Sequence, residues 1–154
     1  MNFNQLLQQI KNDYPGIKFK QADHFAWNSK NSEISYLNPT IAEQENIFCN
    51  KLLHELAHAN LSHQGYSSDA ELLKIESAAW SSAKDLATEY SIQFNEDEQV
   101  RSMDSYISWA SSRCKCPKCK KNGLQILQTE FHCPSCSHKW NVGRSRFTRT
   151  YRHQ

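Results

Sequence analysis

The chain has 154 residues, 38% hydrophobic and 22% charged, with a formal net charge of +2. That balance argues against disorder, and no apolar run approaches the ~20 residues that a transmembrane helix needs. The N-terminus, Met1-Asn2-Phe3-Asn4-Gln5-Leu6, has no basic segment followed by an apolar one, so no secretory signal is read. The expected compartment is the cytoplasm, with no membrane partner.

In chain order, Phe3, Leu6, Leu7 and Ile10 recur at helical spacing, and Tyr14-Pro15-Gly16 ends that helix. Residues 17–19, 25–27 and 34–37 are short runs rich in β-branched and aromatic side chains. The polar string 28–32 between the last two predicts a hairpin. After Pro39-Thr40 a long helix is predicted over about residues 42–62. Ser67-Ser68-Asp69 offers N-caps for a second, running to about Tyr90, and residues 97–111 read as a third. The expected class is α+β: a helix, a short sheet, then helices.

Charge and cysteine both change character near residue 112. Residues 1–111 carry 8 Lys/Arg against 15 Asp/Glu, whereas residues 112–154 carry 10 against one acid, Glu130. Cys49 lies in the first part, and five cysteines lie between Cys114 and Cys136. The expected domains are residues 1–111 and residues 112–154, with different partners. In a reducing compartment, clustered cysteines point to metal rather than disulfides.

The strongest signal is His54-Glu55-Leu56-Ala57-His58 inside the long helix, the HExxH pattern. Residues four apart share one helical face, so both imidazoles can reach a single Zn²⁺. Glu55 projects a quarter turn away, where it can hold the zinc-bound water instead of the metal. A third ligand comes from the next helix. Leu72, Ala79, Ala83, Leu86 and Tyr90 fall on one stripe at 100° per residue, and Glu76 falls inside it. A carboxylate within a buried stripe is expensive unless paired or bound to metal. The alternative is a salt-bridged or half-exposed glutamate at the stripe's end. His63 is the rival ligand, but nine residues after His54 it faces the opposite side of a continuing helix, as a helix-end or surface histidine would.

Cys116-Pro117-Lys118-Cys119 and Cys133-Pro134-Ser135-Cys136 form two knuckles, the pattern of a zinc ribbon with a closed four-thiolate site. Residues 124–128 and the Phe131 region read as its strands. Two zinc ions per chain are therefore expected, one catalytic and one structural. Cys114 is a spare thiol or an alternative ligand, and Cys49 reads as helix packing. Cations surround the ribbon from Arg113 to Arg152, interleaved with Trp140, Phe147 and Tyr151. Residues 113–152 therefore read either as a nucleic-acid surface with stacking groups or as a solubilising tail whose aromatics pack on the ribbon.

Residues 34–38 and 52–63, followed by Glu76-Ser77-Ala78-Ala79-Trp80, resemble the ImmA/IrrE-type metallopeptidases, short gluzincin-like enzymes of bacteria, phages and mobile elements. Residues 90–92 and 105–109 are similar to the peptidase domain beside ArdC-type antirestriction modules. The resemblance covers about residues 33–110, with Ser77 where the family usually has Ala. It implies a small zincin-like fold, zinc on His54, His58 and Glu76, and Glu55 as catalytic base. It further implies an intracellular endopeptidase whose protein substrate is a transcriptional regulator. One alternative is a SprT-like protease of DNA–protein crosslinks, a family that usually draws its third ligand from a downstream histidine; after His63 the next is His132, inside the ribbon. Another is a non-enzymatic DNA-binding or antirestriction protein with structural zinc, in which Glu55 would have no task.

Overall fold

The computed structural model describes residues 1–146, so Phe147, Arg149, Tyr151 and Arg152 lie outside the described residues. The architecture of the described residues is α+β, with four α-helices and two three-stranded sheets. The helices are α1 (Phe3–Asp13), α2 (Glu45–Asn60), α3 (Asp69–Glu89) and α4 (Glu96–Cys114). The strands are β1 (Lys18–Gln21), β2 (Ala26–Asn28), β3 (Glu33–Tyr36), β4 (Leu124–Leu127), β5 (Glu130–His132) and β6 (Lys139–Asn141). Two compact units emerge: Met1–Gly65 with Ile75–Val100, and Tyr66–Lys74 with the chain from Arg101 on. Helix α4 runs unbroken through residues 111–113.

In the first unit, α1 starts with a reciprocal capping box between Asn2 and Gln5. Its Phe3 N–H donates to the Glu45 carboxylate at 2.7 Å, and the helix buries the predicted stripe of Phe3, Leu6, Leu7 and Ile10. The expected hairpin forms as antiparallel β2 and β3, while β1 pairs parallel to β3 on its far side. The sheet order β1-β3-β2 leaves β2 as an outer strand. A 3₁₀ turn over residues 42–44 precedes α2, so that helix begins later than predicted and ends earlier, at Asn60. It buries side chains on most of its circumference, Cys49 among them, because it packs on both α1 and the sheet. Buried Asn50 ties the incoming chain to α2: its amide donates to the Gln93 carbonyl at 3.1 Å, and its oxygen accepts from the Asn95 N–H at 3.0 Å.

At the head of α3 the Ser68 hydroxyl accepts from the Glu71 N–H at 3.2 Å, the predicted cap. Leu72, Ala79, Ala83, Leu86 and Tyr90 are all buried, as the stripe requires. The helix closes in a Schellman turn: Ser91 adopts φ 54°, and the Ile92 N–H reaches back to the Ala87 carbonyl at 2.8 Å.

The second unit contains the antiparallel sheet β4-β5-β6 over a core of Cys116, Phe131, Cys133, Trp140 and Val142. Gly123 is required there, because a Cβ would overlap the Trp140 ring. Arg113, at the end of α4, is the hub of this unit. Its Nε donates to Asp69 at 2.8 Å, its other nitrogens to the carbonyls of Gln128 and Gly143, and its guanidinium lies over the Trp109 ring. A buried pair of this kind needs further hydrogen bonds to offset desolvation, and the two ribbon carbonyls supply two of them.

Candidate metal centres

Helices α2 and α3 bring the predicted tripod together. His54 Nε2 lies 3.0 Å from His58 Nε2 and 3.1 Å from Glu76 Oε2, and His58 Nε2 lies 3.7 Å from the same carboxylate oxygen. A tetrahedral ion with bonds of about 2.05 Å holds its donors about 3.3 Å apart, so this triangle has the right size for zinc. Glu76 is 5% exposed, which removes the reading of a half-exposed glutamate at the stripe's end. Burial would raise its pKa, but hydrogen bonds and charge from His54 and His58 hold it down to about 2. The anion that a metal needs is therefore already present.

Glu55 sits on the same helix, half-buried. Burial pushes its pKa up, opposed by His54, His58 and a hydrogen bond from the Trp27 main chain on β2. Trp80, completely buried on α3, stacks on the His54 ring with centroids 4.3 Å apart and fixes its plane.

His63 is placed differently from expectation. Helix α2 does not continue past it but closes in a Schellman turn, with Ser62 at φ 53°. The Ser62 N–H bonds the Ala59 carbonyl, and the His63 N–H bonds the His58 carbonyl, both at 3.0 Å. This folds the His63 ring back onto His58, Nδ1 to Nδ1 at 2.9 Å, instead of turning it to the opposite side of the helix. His63 does not join the tripod; it contacts one of the tripod's members. A glycine at the turn is the sequence signal for such a reversal, and here serine stands in its place.

The four ribbon cysteines also converge. Cys116 and Cys136 sulfurs are 3.7 Å apart, and those of Cys119 and Cys133 are 3.5 Å apart. Four thiolates around zinc, with bonds of about 2.3 Å, stand about 3.8 Å from one another. Burial resists ionisation of Cys133, but main-chain N–H groups of Cys136 and Ser135 hold its pKa at about 7. Despite a main-chain bond from His138, burial and the neighbouring sulfurs push Cys136 up to about 12. Four anions cannot share that space without a cation, so the donor set fits a structural metal. Cys114 stands apart, donating to the Ser111 carbonyl at 3.3 Å. The described residues thus hold two candidate metal-binding groups, both compatible with zinc: His54, His58 and Glu76, and Cys116, Cys119, Cys133 and Cys136.

Two residues of the expected nucleic-acid surface are buried instead, the stacking group Trp140 and the cation Arg113. Trp140 is 3% exposed, stacked on Phe131, and its indole donates to the Arg113 carbonyl at 3.0 Å. Arg113 is buried by its own network. Both serve the core because the small sheet has few other large side chains to bury. Lys115, Lys118, Lys120, Lys121, Lys139 and Arg144 remain exposed. Among the described residues no helix is long and apolar enough to cross a membrane. Comparison with known protein families, curated proteins and solved structures gives no match to this chain, so its functional reading rests on these two donor sets.

Proposed function

We propose that the chain is a zinc-dependent endopeptidase of the HExxH…E type with a small zincin-like fold. Its basic ribbon directs it to DNA or to a DNA-bound regulatory protein. The observation that carries the reading is Glu76, a buried carboxylate set against both imidazoles of an HExxH helix. The resemblance of residues 54–58 and 76–80 to ImmA/IrrE-type enzymes supports it. The SprT-like alternative is disfavoured because a carboxylate stands where that family uses histidine.

His54, His58 and Glu76 would hold the ion as a three-ligand set with one position open. Zinc bound there would supply Lewis acidity and a water acidified toward neutrality. Glu55 takes the proton of the attacking water and returns it to the leaving amine. A carboxylate whose pKa is raised by burial is suited to both tasks. β2 is an outer strand of its sheet, and its Trp27 main chain meets Glu55, so an extended peptide pairing along β2 would pass the base.

The zinc-loaded chain is expected to cleave members of a mixed peptide library, read by mass spectrometry, with cleavage stopped by a chelator and restored by zinc. A chain that binds two zinc ions yet cleaves no peptide would support the non-enzymatic reading instead. For the ribbon, four phosphate contacts by the exposed lysines would weaken duplex-DNA binding roughly a hundredfold between about 50 and 200 mM salt. Salt-insensitive or undetectable binding, measured by fluorescence anisotropy, would remove DNA as the target.

A further inference from the structure

We propose that His63 is a positioning residue for the metal ligand His58, held in place by Trp27. The inference rests on the zinc reading of the His54, His58 and Glu76 group.

Three contacts fix His63. The Trp27 indole N–H donates to its carbonyl at 3.0 Å, its own N–H donates to the His58 carbonyl at 3.0 Å, and its ring nitrogen Nδ1 meets His58 Nδ1 at 2.9 Å. The last contact determines where protons sit. His58 faces the tripod through Nε2, so binding a cation there requires the Nε2 lone pair and leaves the ring proton on Nδ1. That Nδ1–H donates to His63 Nδ1, which must then be the acceptor, with the His63 proton on Nε2. The hydrogen bond selects the metal-binding tautomer of His58 and sets the ring plane that aims its lone pair.

The two histidine ligands are supported unequally. His54 Nδ1 is buried without a hydrogen-bond partner among the described residues, and the stacked Trp80 orients that ring. His58 has no such stacking tryptophan described; its orientation comes from His63. Trp27 connects this arrangement to the base, since its main chain bonds Glu55 while its indole holds the His63 carbonyl.

The test is zinc affinity of the full chain by chelator competition, with the ribbon site as internal reference. His63→Leu is expected to weaken the tripod site about 10- to 100-fold and to leave the ribbon site unchanged. His63→Asn, whose Oδ1 can stand where Nδ1 accepts, is expected to restore affinity to within a few-fold of wild type. In cobalt-substituted protein the visible d–d bands should move in His63→Leu and return in His63→Asn. Equal affinity in wild type and His63→Leu overturns the proposal. Equal losses in both variants also overturn it, since packing rather than the hydrogen bond would then be responsible. A wild-type chain that binds zinc at the ribbon only would remove the metal reading itself, a result distinct from either.

Discussion

Cys116→Ser is expected to leave residues from about 115 to 142 without stable structure while the first unit stays folded. The ribbon's core consists of Cys116, Phe131, Cys133, Trp140 and Val142, and two of those five belong to the candidate four-cysteine metal group. Full burial of a large apolar side chain contributes about 1.5–3 kcal/mol. Phe131, Trp140 and Val142 together thus fall below the roughly 10–16 kcal/mol of apparent free energy with which structural zinc holds small domains. Loss of one thiolate removes a ligand and leaves the remaining sulfurs crowded. Zinc content should fall from two ions to one, and hydrogen exchange should show the amides of β5 and β6 unprotected. Cys114→Ser should retain both ions, because that sulfur lies outside the group. A Cys116→Ser chain with protected β5 and β6 amides and two zinc ions would refute the structural role of the metal.

Glu55→Gln and His54→Ala should separate chemistry from metal binding. Glutamine has the same length and still accepts the Trp27 hydrogen bond, but it cannot take a proton from water. Loss of a positioned general acid–base group lowers kcat by about 10²–10⁴-fold. Glu55→Gln is therefore expected to keep two zinc ions and lose cleavage of the best library peptide by that factor. His54→Ala, which removes one corner of the triangle, should lose both the tripod zinc and cleavage. Wild-type cleavage by Glu55→Gln would remove Glu55 from the mechanism. Loss of zinc in that variant would make Glu55 a structural support of the site.

Much of this protein is local and therefore readable along the chain. Spacing of four places His54 and His58 on one helical face, and each C-x-x-C knuckle presents its two sulfurs together, whatever lies around them. The α3 stripe identified Glu76 because periodicity shows which residues share a face. Spacing could not reveal where the chain reverses or which polar groups meet across long loops. The parallel pairing of β1 with β3 depends on a contact across an intervening strand, and the return of His63 onto His58 depends on Ser62 adopting a left-handed conformation that glycine more often marks.

The same limit explains Trp140 and Arg113. An aromatic among cations has one sequence pattern whether it faces a nucleic acid or the inside of a small sheet. Burial depends on how much apolar surface the rest of the unit supplies. Here the ribbon supplies little, so the tryptophan and the arginine turned inward, and lysines were left on the outside. Residue spacing by itself marked the members of both donor sets and the two helices that carry His54, His58 and Glu76. Tertiary packing alone decided which ring supports His58 and which side chains remain on the ribbon surface, because those outcomes depend on contacts between segments that no local periodicity encodes.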